Sequence, residues 1–179
     1  MLKKLLIAIA VIVVVLVSVV AMQPPTYVVS RTISIAAQLP DAYGLVNDFH
    51  KWDSWSPWAT LDPGMKVTYE GRSSGSGAGY YWTGNDKVGE GRMTILESTG
   101  QQIRIKLEFI KPFAQTSITE FAFSDTANTT SVTWAMKGEN SFVDKGVCLF
   151  MGGMDKMIGP DFERGLAQLK TVTEAATRK

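Results

Sequence analysis

The sequence predicts an α+β domain, an antiparallel sheet covered on one face by a long C-terminal helix and preceded by one apolar N-terminal helix. Three observations predict it. Ile103, Ile105, Leu107 and Phe109 alternate with Arg104, Lys106 and Glu108, the pattern of a strand with one wet face. From about Lys145 to Thr173, Val147, Phe150, Met151, Met154, Ile158, Phe162, Leu166 and Leu169 recur near helical spacing. An unbroken apolar run from Leu5 to Met22, with Ser18 its only polar member, follows Lys3 and Lys4.

As a helix the Leu5–Met22 run rises about 27 Å, close to the roughly 30 Å of a bilayer's hydrocarbon core. It is therefore expected to be a retained transmembrane anchor at 5–22 behind a cytoplasmic segment 1–4. Lys3 and Lys4 then hold the N-terminus inside and the domain is extracytoplasmic. The alternative is a cleaved secretory signal, with Val19, Val20 and Ala21 as small residues near a cleavage point and a secreted product. The run, however, exceeds the usual signal core of roughly 7–15 residues. Pro24 and Pro25 stiffen a linker at 23–26, because proline fixes φ and resists helix continuation. A single domain is expected at 27–174, followed by a short tail at 175–179.

Within the domain, strands are expected at Val28–Ile35, Lys66–Glu70, Gly79–Thr83 and Val88–Glu97. Others are centred on Ile103–Phe109, Thr119–Phe123 and Val132–Met136. Turn residues at Gly84-Asn85-Asp86, Ser98-Thr99-Gly100 and Ser124 to Thr129 separate them, and such short connections favour an antiparallel meander. A short helix opens at Pro40-Asp41, where proline is tolerated in the first turn and the acid meets the positive end of the helix dipole. The C-terminal helix is expected to bury one face and to kink or break at Gly159-Pro160. The stretch Arg72 to Gly79, rich in glycine and serine, reads as a mobile hairpin loop.

Composition removes several functions. The chain carries 18 basic and 17 acidic residues; without Lys3 and Lys4 the balance is 16 against 17, no electrostatic footprint for nucleic acid. Cys148 is the only cysteine, so no internal disulfide forms, and His50 is the only histidine, so no histidine metal cluster exists. The glycine-rich Gly75-Ser76-Gly77-Ala78-Gly79 is followed by a strand and lacks the lysine–serine or lysine–threonine pair of a phosphate loop. A monomer without cofactor or metal is expected.

The element order, together with Phe49-His-Lys-Trp52-Asp-Ser-Trp55-Ser-Pro-Trp58, Gly77-Ala-Gly-Tyr80-Tyr-Trp82, Gly89-Glu-Gly91-Arg-Met-Thr-Ile95 and Met154-Asp-Lys-Met157-Ile-Gly-Pro-Asp-Phe162, resembles the SRPBCC (START-like) superfamily. More narrowly it resembles the polyketide cyclase/dehydrase and lipid-transport group. The resemblance spans about Tyr27 to Thr173. It implies a helix-grip fold, a curved seven-stranded antiparallel sheet around the long helix with a cavity between them, but it fixes no activity.

Candidate site residues follow. Trp52, Trp55 and Trp58 form either a structural plug at one end of the sheet, which the resemblance favours, or an aromatic rim at a cavity mouth. Met151 and Met154 on the helix, with Trp55, Tyr80, Trp82, Phe109, Phe121, Trp134 and Met136, are the residues expected to line an apolar ligand pocket. His50, between Asp48 and Asp53, is a weak acid/base candidate, and a Cys148–His50 nucleophilic pair would need two distant segments to meet. The leading functional expectation is a membrane-anchored binding domain for a lipid or other hydrophobic small molecule. The alternatives are a cyclase/dehydratase-type enzyme using His50, and a ligand-free protein-interaction or sensory module.

Overall fold

The computed structural model describes residues 1–178. Its first element, α1 (Leu2–Ala21), is 20 residues long with a mean hydropathy of 3.1 over its most apolar window, so it is long and apolar enough to cross a membrane. Almost none of it is covered by the rest of the chain. Then come β1 (Thr26–Ile35), α2 (Leu39–Val46), a 3-10 segment (Phe49–Ser54), and six strands: β2 (Lys66–Gly71), β3 (Ala78–Thr83), β4 (Glu90–Ser98), β5 (Gln102–Lys111), β6 (Gln115–Thr126) and β7 (Thr129–Glu139). Two helices close the chain, α3 (Phe142–Met151) and α4 (Met154–Thr177).

All seven strands form one antiparallel sheet in the order β1-β7-β6-β5-β4-β3-β2, so every neighbour is consecutive in sequence except the pair β1 and β7. Alternation sets its faces. Ile103 and Ile105 on β5, Phe121 and Phe123 on β6, and Val132 and Trp134 on β7 point inward and are buried, while Arg104, Glu120 and Lys137 stay at the outer surface.

The long helix covers less than the sequence suggests. α4 packs chiefly on β1 and reaches α2 and the 3-10 segment, leaving the β3–β5 side of the inner face to the tryptophan-bearing segment. Gly165 permits the approach, since a Cβ there would lie 2.8 Å from the Trp134 ring. The expected interruption at Gly159-Pro160 is also misplaced: the chain is helical through both, and the break falls at Gly152 and Gly153, whose φ angles of +83° and +94° are left-handed. Proline removes one helical hydrogen bond, whereas two successive left-handed residues cannot belong to a right-handed helix at all.

Polar contacts fix α4 along β1. Arg31 donates through Nε to Glu163 (2.7 Å) and grips both carboxylate oxygens of Asp155 (2.8 and 3.1 Å). Lys170 donates to the Ser34 carbonyl, and Glu174 accepts from the Ala36 backbone N–H at 2.9 Å. Arg31 holds the Asp155 carboxyl below the usual carboxylate range, and the Ala36 N–H does the same for Glu174. Groups depressed in this way bind fewer protons folded than unfolded, so their contribution is complete above the ordinary carboxylate range and lost as pH falls through the lower folded values. The melting temperature is therefore expected to hold from neutrality to about pH 5 and to drop below about pH 4. Asp155→Asn with Glu174→Gln should flatten that drop; an unchanged acid limb by differential scanning fluorimetry would show that other carboxylates govern it.

Candidate functional site

The sheet has one sealed end and one loose end. At the end holding the C-terminus of β1 and the β6–β7 turn, α2 is stitched down by a polar web. Tyr43 Oη lies 2.5 Å from Ser98 Oγ and accepts from the Gly100 N–H, and Ser98 Oγ donates to Asn47 Oδ1 at 2.8 Å. The glycine-rich loop, expected to be mobile, is part of this closure. Gly75 N donates to Asn47 O at 3.0 Å, Gly77 N to Ile95 O at 2.8 Å, and Ser76 Oγ to Leu96 O at 2.9 Å. Its glycines supply left-handed backbone at 75 and 77 rather than slack.

Behind that closure lies an aromatic stack. Trp52 and Trp55 are buried, and their indole N–H groups donate to the carbonyls of Val46 and Leu45, anchoring both rings under α2. Trp134 is stacked on Phe162 of α4 at 4.1 Å and on Phe121 at 4.9 Å, with Trp55 and Trp58 edge-on to it. The tryptophans of this segment therefore fill the middle of the grip, with Trp58 left half-buried. Trp134 Nε1 is buried without a hydrogen-bond partner among the described residues.

Toward the other end, where β1 begins and β7 finishes, the inner face loosens. Along β5, Ile103 and Ile105 are fully buried, but Leu107 and Phe109 are only half-buried. On β4, Ile95 is buried and Met93, paired with Leu107, is half-buried. Trp82 lies over Gly91, where any Cβ would collide with its ring at 2.3 Å, and stands edge-on to Phe109. Met136 is buried, while Met65, Val67, Met154 and Ile158 share the half-buried margin. This is an apolar surface that the chain's own side chains leave unfinished.

A cleft of about 390 Å³ opens at the same end, bordered by Pro24, Tyr27, Asn140, Cys148 and Met154 among others. Tyr27 reaches across Gly138 to place its hydroxyl 2.9 Å from Ser117 Oγ. Burial, and then the nearby Asp144, raise the pKa of the Cys148 thiol, which keeps it a thiol rather than a nucleophilic thiolate. Burial raises Tyr27 and Tyr80 as well, so neither is a ready proton donor.

The structure divides the residues singled out in sequence. Phe121, Trp134 and Trp55 form the central stack, with Tyr80 and Trp82 beside the 3-10 segment and β5. Phe109, Met136 and Met154 stand toward the loose end, whereas Met151 is exposed on α3. His50 lies on the outside of the 3-10 segment, half exposed, its Nδ1 3.0 Å from Asp48 Oδ1 and its ring stacked on Tyr69 of the edge strand at 3.9 Å. Cys148 is on α3 by the linker, remote in the fold from that position. Sequence reasoning left Met93 and Ile158 out of the pocket lining, though alternation through Met93 and Ile95 carried the signal for the first and the apolar stripe of the C-terminal helix for the second. No group of three or more His, Cys, Asp or Glu side chains among the described residues is arranged to hold a metal ion.

Comparison with known proteins agrees with this architecture. The model of the family described as polyketide cyclase / dehydrase and lipid transport matches residues 26–174. Among curated proteins none matches significantly. Protein CV1439 from Chromobacterium violaceum superposes with a TM-score of 0.55 at 15% identity, covering 85% of this chain and 99% of that one. A structural-genomics protein from Nitrosospira multiformis gives 0.59 at 18% identity, covering 86% of this chain and 100% of its own. The di-domain ARO/CYC StfQ from the steffimycin biosynthetic pathway gives 0.61 at 12% identity; 86% of this chain matches 52% of that protein. Identities this low speak for the fold.

Proposed function

The chain belongs to the polyketide cyclase / dehydrase and lipid transport family, and from that premise we propose that it is a membrane-anchored binding domain for a lipid or other hydrophobic small molecule. In this reading α1 is retained in the membrane, Lys3 and Lys4 stay on the cytoplasmic side, and the domain works on the far side as a monomer. One observation carries the reading. Inward-facing apolar side chains lose burial progressively along β4 and β5, ending in Met93, Leu107 and Phe109 at the end from which α1 emerges. A core finished for its own sake would bury them, since each such side chain gains roughly 1.5–3 kcal/mol on full burial. An apolar ligand laid along this margin, against Trp82 and Met136 and under Met154, completes the burial. The binding needs no proton transfer, which suits a site where His50 lies outside and Cys148 is held as a thiol.

The test uses the full chain in lipid nanodiscs with a fatty acid carrying a diazirine. On illumination, adducts are expected on peptides containing Met93 and Leu107, reduced at least tenfold in Leu107→Asp and in Met154→Trp, and unchanged in His50→Ala. Adducts confined to α1 would sink the proposal. That outcome would favour a ligand-free interaction module, a second reading supported by the aromatic stack that fills the middle of the grip.

A further inference from the structure

α3 is built inside out for a helix in water. Val143, Val147, Phe150 and Met151, at i, i+4, i+7 and i+8, form one apolar stripe, and all four are exposed, Phe150 at 82%. None of the residues of α3 is buried, yet the helix is firmly started: Ser141 Oγ accepts from the Asp144 N–H while the Asp144 carboxylate accepts from the Ser141 N–H. The half-buried side, with Lys145, Cys148 and Leu149, borders the cleft beside the linker. The stripe on the opposite side stays exposed.

A second exposed apolar group stands at the same end of the sheet. Phe113, at 75% exposure, tips the β5–β6 hairpin, and Ile110 beside it is also exposed. That hairpin is placed next to the end of β7 by Gln115, whose Nε2 donates to the Glu139 carbonyl at 3.3 Å. β7 runs from there directly into α3. Two unconnected apolar projections thus share one end of the molecule.

We infer that α3 and the Phe113 hairpin dock into the bilayer interface, seating the loose end of the sheet against the lipid. The inference rests on reading α1 as a membrane anchor. The occupant is named by position: α1 touches α3, and only residues 22–25 separate α1 from β1, a connector of at most about 18 Å even fully extended. Asn140 shortens it further by donating from its backbone and side chain to the carbonyls of Pro25 and Pro24. A helix of ten residues is about 15 Å long, too small to provide the roughly 800 Å² per partner of a stable protein interface, whereas an apolar helical face with flanking polar groups suits the headgroup–acyl boundary. Docked in this way, the margin at Leu107 and Phe109 opens toward lipid rather than toward water, so cargo need not cross an aqueous gap.

The experiment uses the full chain in liposomes, in a Cys148→Ser background, with single cysteines at Phe150→Cys, Phe113→Cys or Asp125→Cys labelled by the fluorophore NBD. Asp125 lies at the sealed end. Emission at 150 and 113 should be blue-shifted and quenched at least threefold more than at 125 by lipids spin-labelled high on the acyl chain. Equal quenching at all three positions overturns the inference. A blue shift without lipid quenching also overturns it, because a second copy or another protein would then cover the stripe. Resistance to carbonate extraction, scored on the same samples, reports separately on α1, and the diazirine adducts report separately on cargo.

Discussion

Trp134→Ala is expected to lower stability by about 3–5 kcal/mol, the range for deleting a large buried aromatic side chain. Trp134 is 2% exposed and touches Trp55 and Trp58 in the loop after the 3-10 segment, Phe121 of β6 and Phe162 of α4, so no single element can relax into the space. Against a total of roughly 5–15 kcal/mol, that loss leaves the variant marginal or unfolded. Trp134→Phe separates packing from polarity. It keeps the stack on Phe162 and removes an indole N–H that has no partner among the described residues, so part of the lost volume is offset by relief of an unsatisfied donor. It should cost under about 1.5 kcal/mol. Urea denaturation distinguishes the two; equal losses would mean that the N–H is engaged.

Ile105→Asp is expected to abolish folding, while Leu107→Asp, two residues along the same face, leaves a folded protein. Ile105 is fully buried between β4 and β6, and a carboxylate there has neither water nor a cation and must be protonated or expel the strand. The face of Leu107 is the same, yet its half exposure allows a carboxylate to stay wet. Expression in the soluble or membrane-inserted fraction, followed by circular dichroism, scores both. A folded Ile105→Asp would show that water reaches the middle of the sheet.

This pair marks how far the sequence could be read. Period-two alternation located β5, β6 and β7 with their inner faces, because each inward residue has to leave water and each outward one does not, while the other four strands were read without a face. The tryptophan plug was favoured over a cavity rim through the family resemblance, and the structure gives its physical reason: the C-terminus of α2 provides burial and carbonyl acceptors for two of the three indoles. The gradient of burial along β5 was not legible, since alternation reports which side a residue faces and not what lies above it. The stripe Val147, Phe150 and Met151 was read as continuous with the buried face of α4, and it is exposed. Helical periodicity gives the existence of a stripe but not its direction, and the joint at Gly152-Gly153 redirects it. That glycine pair was a better breaking signal than Pro160, which costs one hydrogen bond where the glycines reverse the sign of φ. The serine and glycine loop misled in the other direction, because low side-chain volume allows close backbone docking as readily as it allows motion.

The pairing of the first strand with the last also decides how the domain bears load. Any pull transmitted through α1 enters the sheet at Thr26 and runs along the axis of β1, which is in register with β7 from Thr26 opposite Glu139 to Ile35 opposite Thr130. Ladder hydrogen bonds lie perpendicular to the strands, so a force along β1 shears the whole set together instead of peeling them one at a time. Arg31, Lys170 and Glu174 tie the same strand to α4 and share that shear. In the proposed anchored arrangement, a tug on α1 would be spread through β1 over the sheet and the long helix.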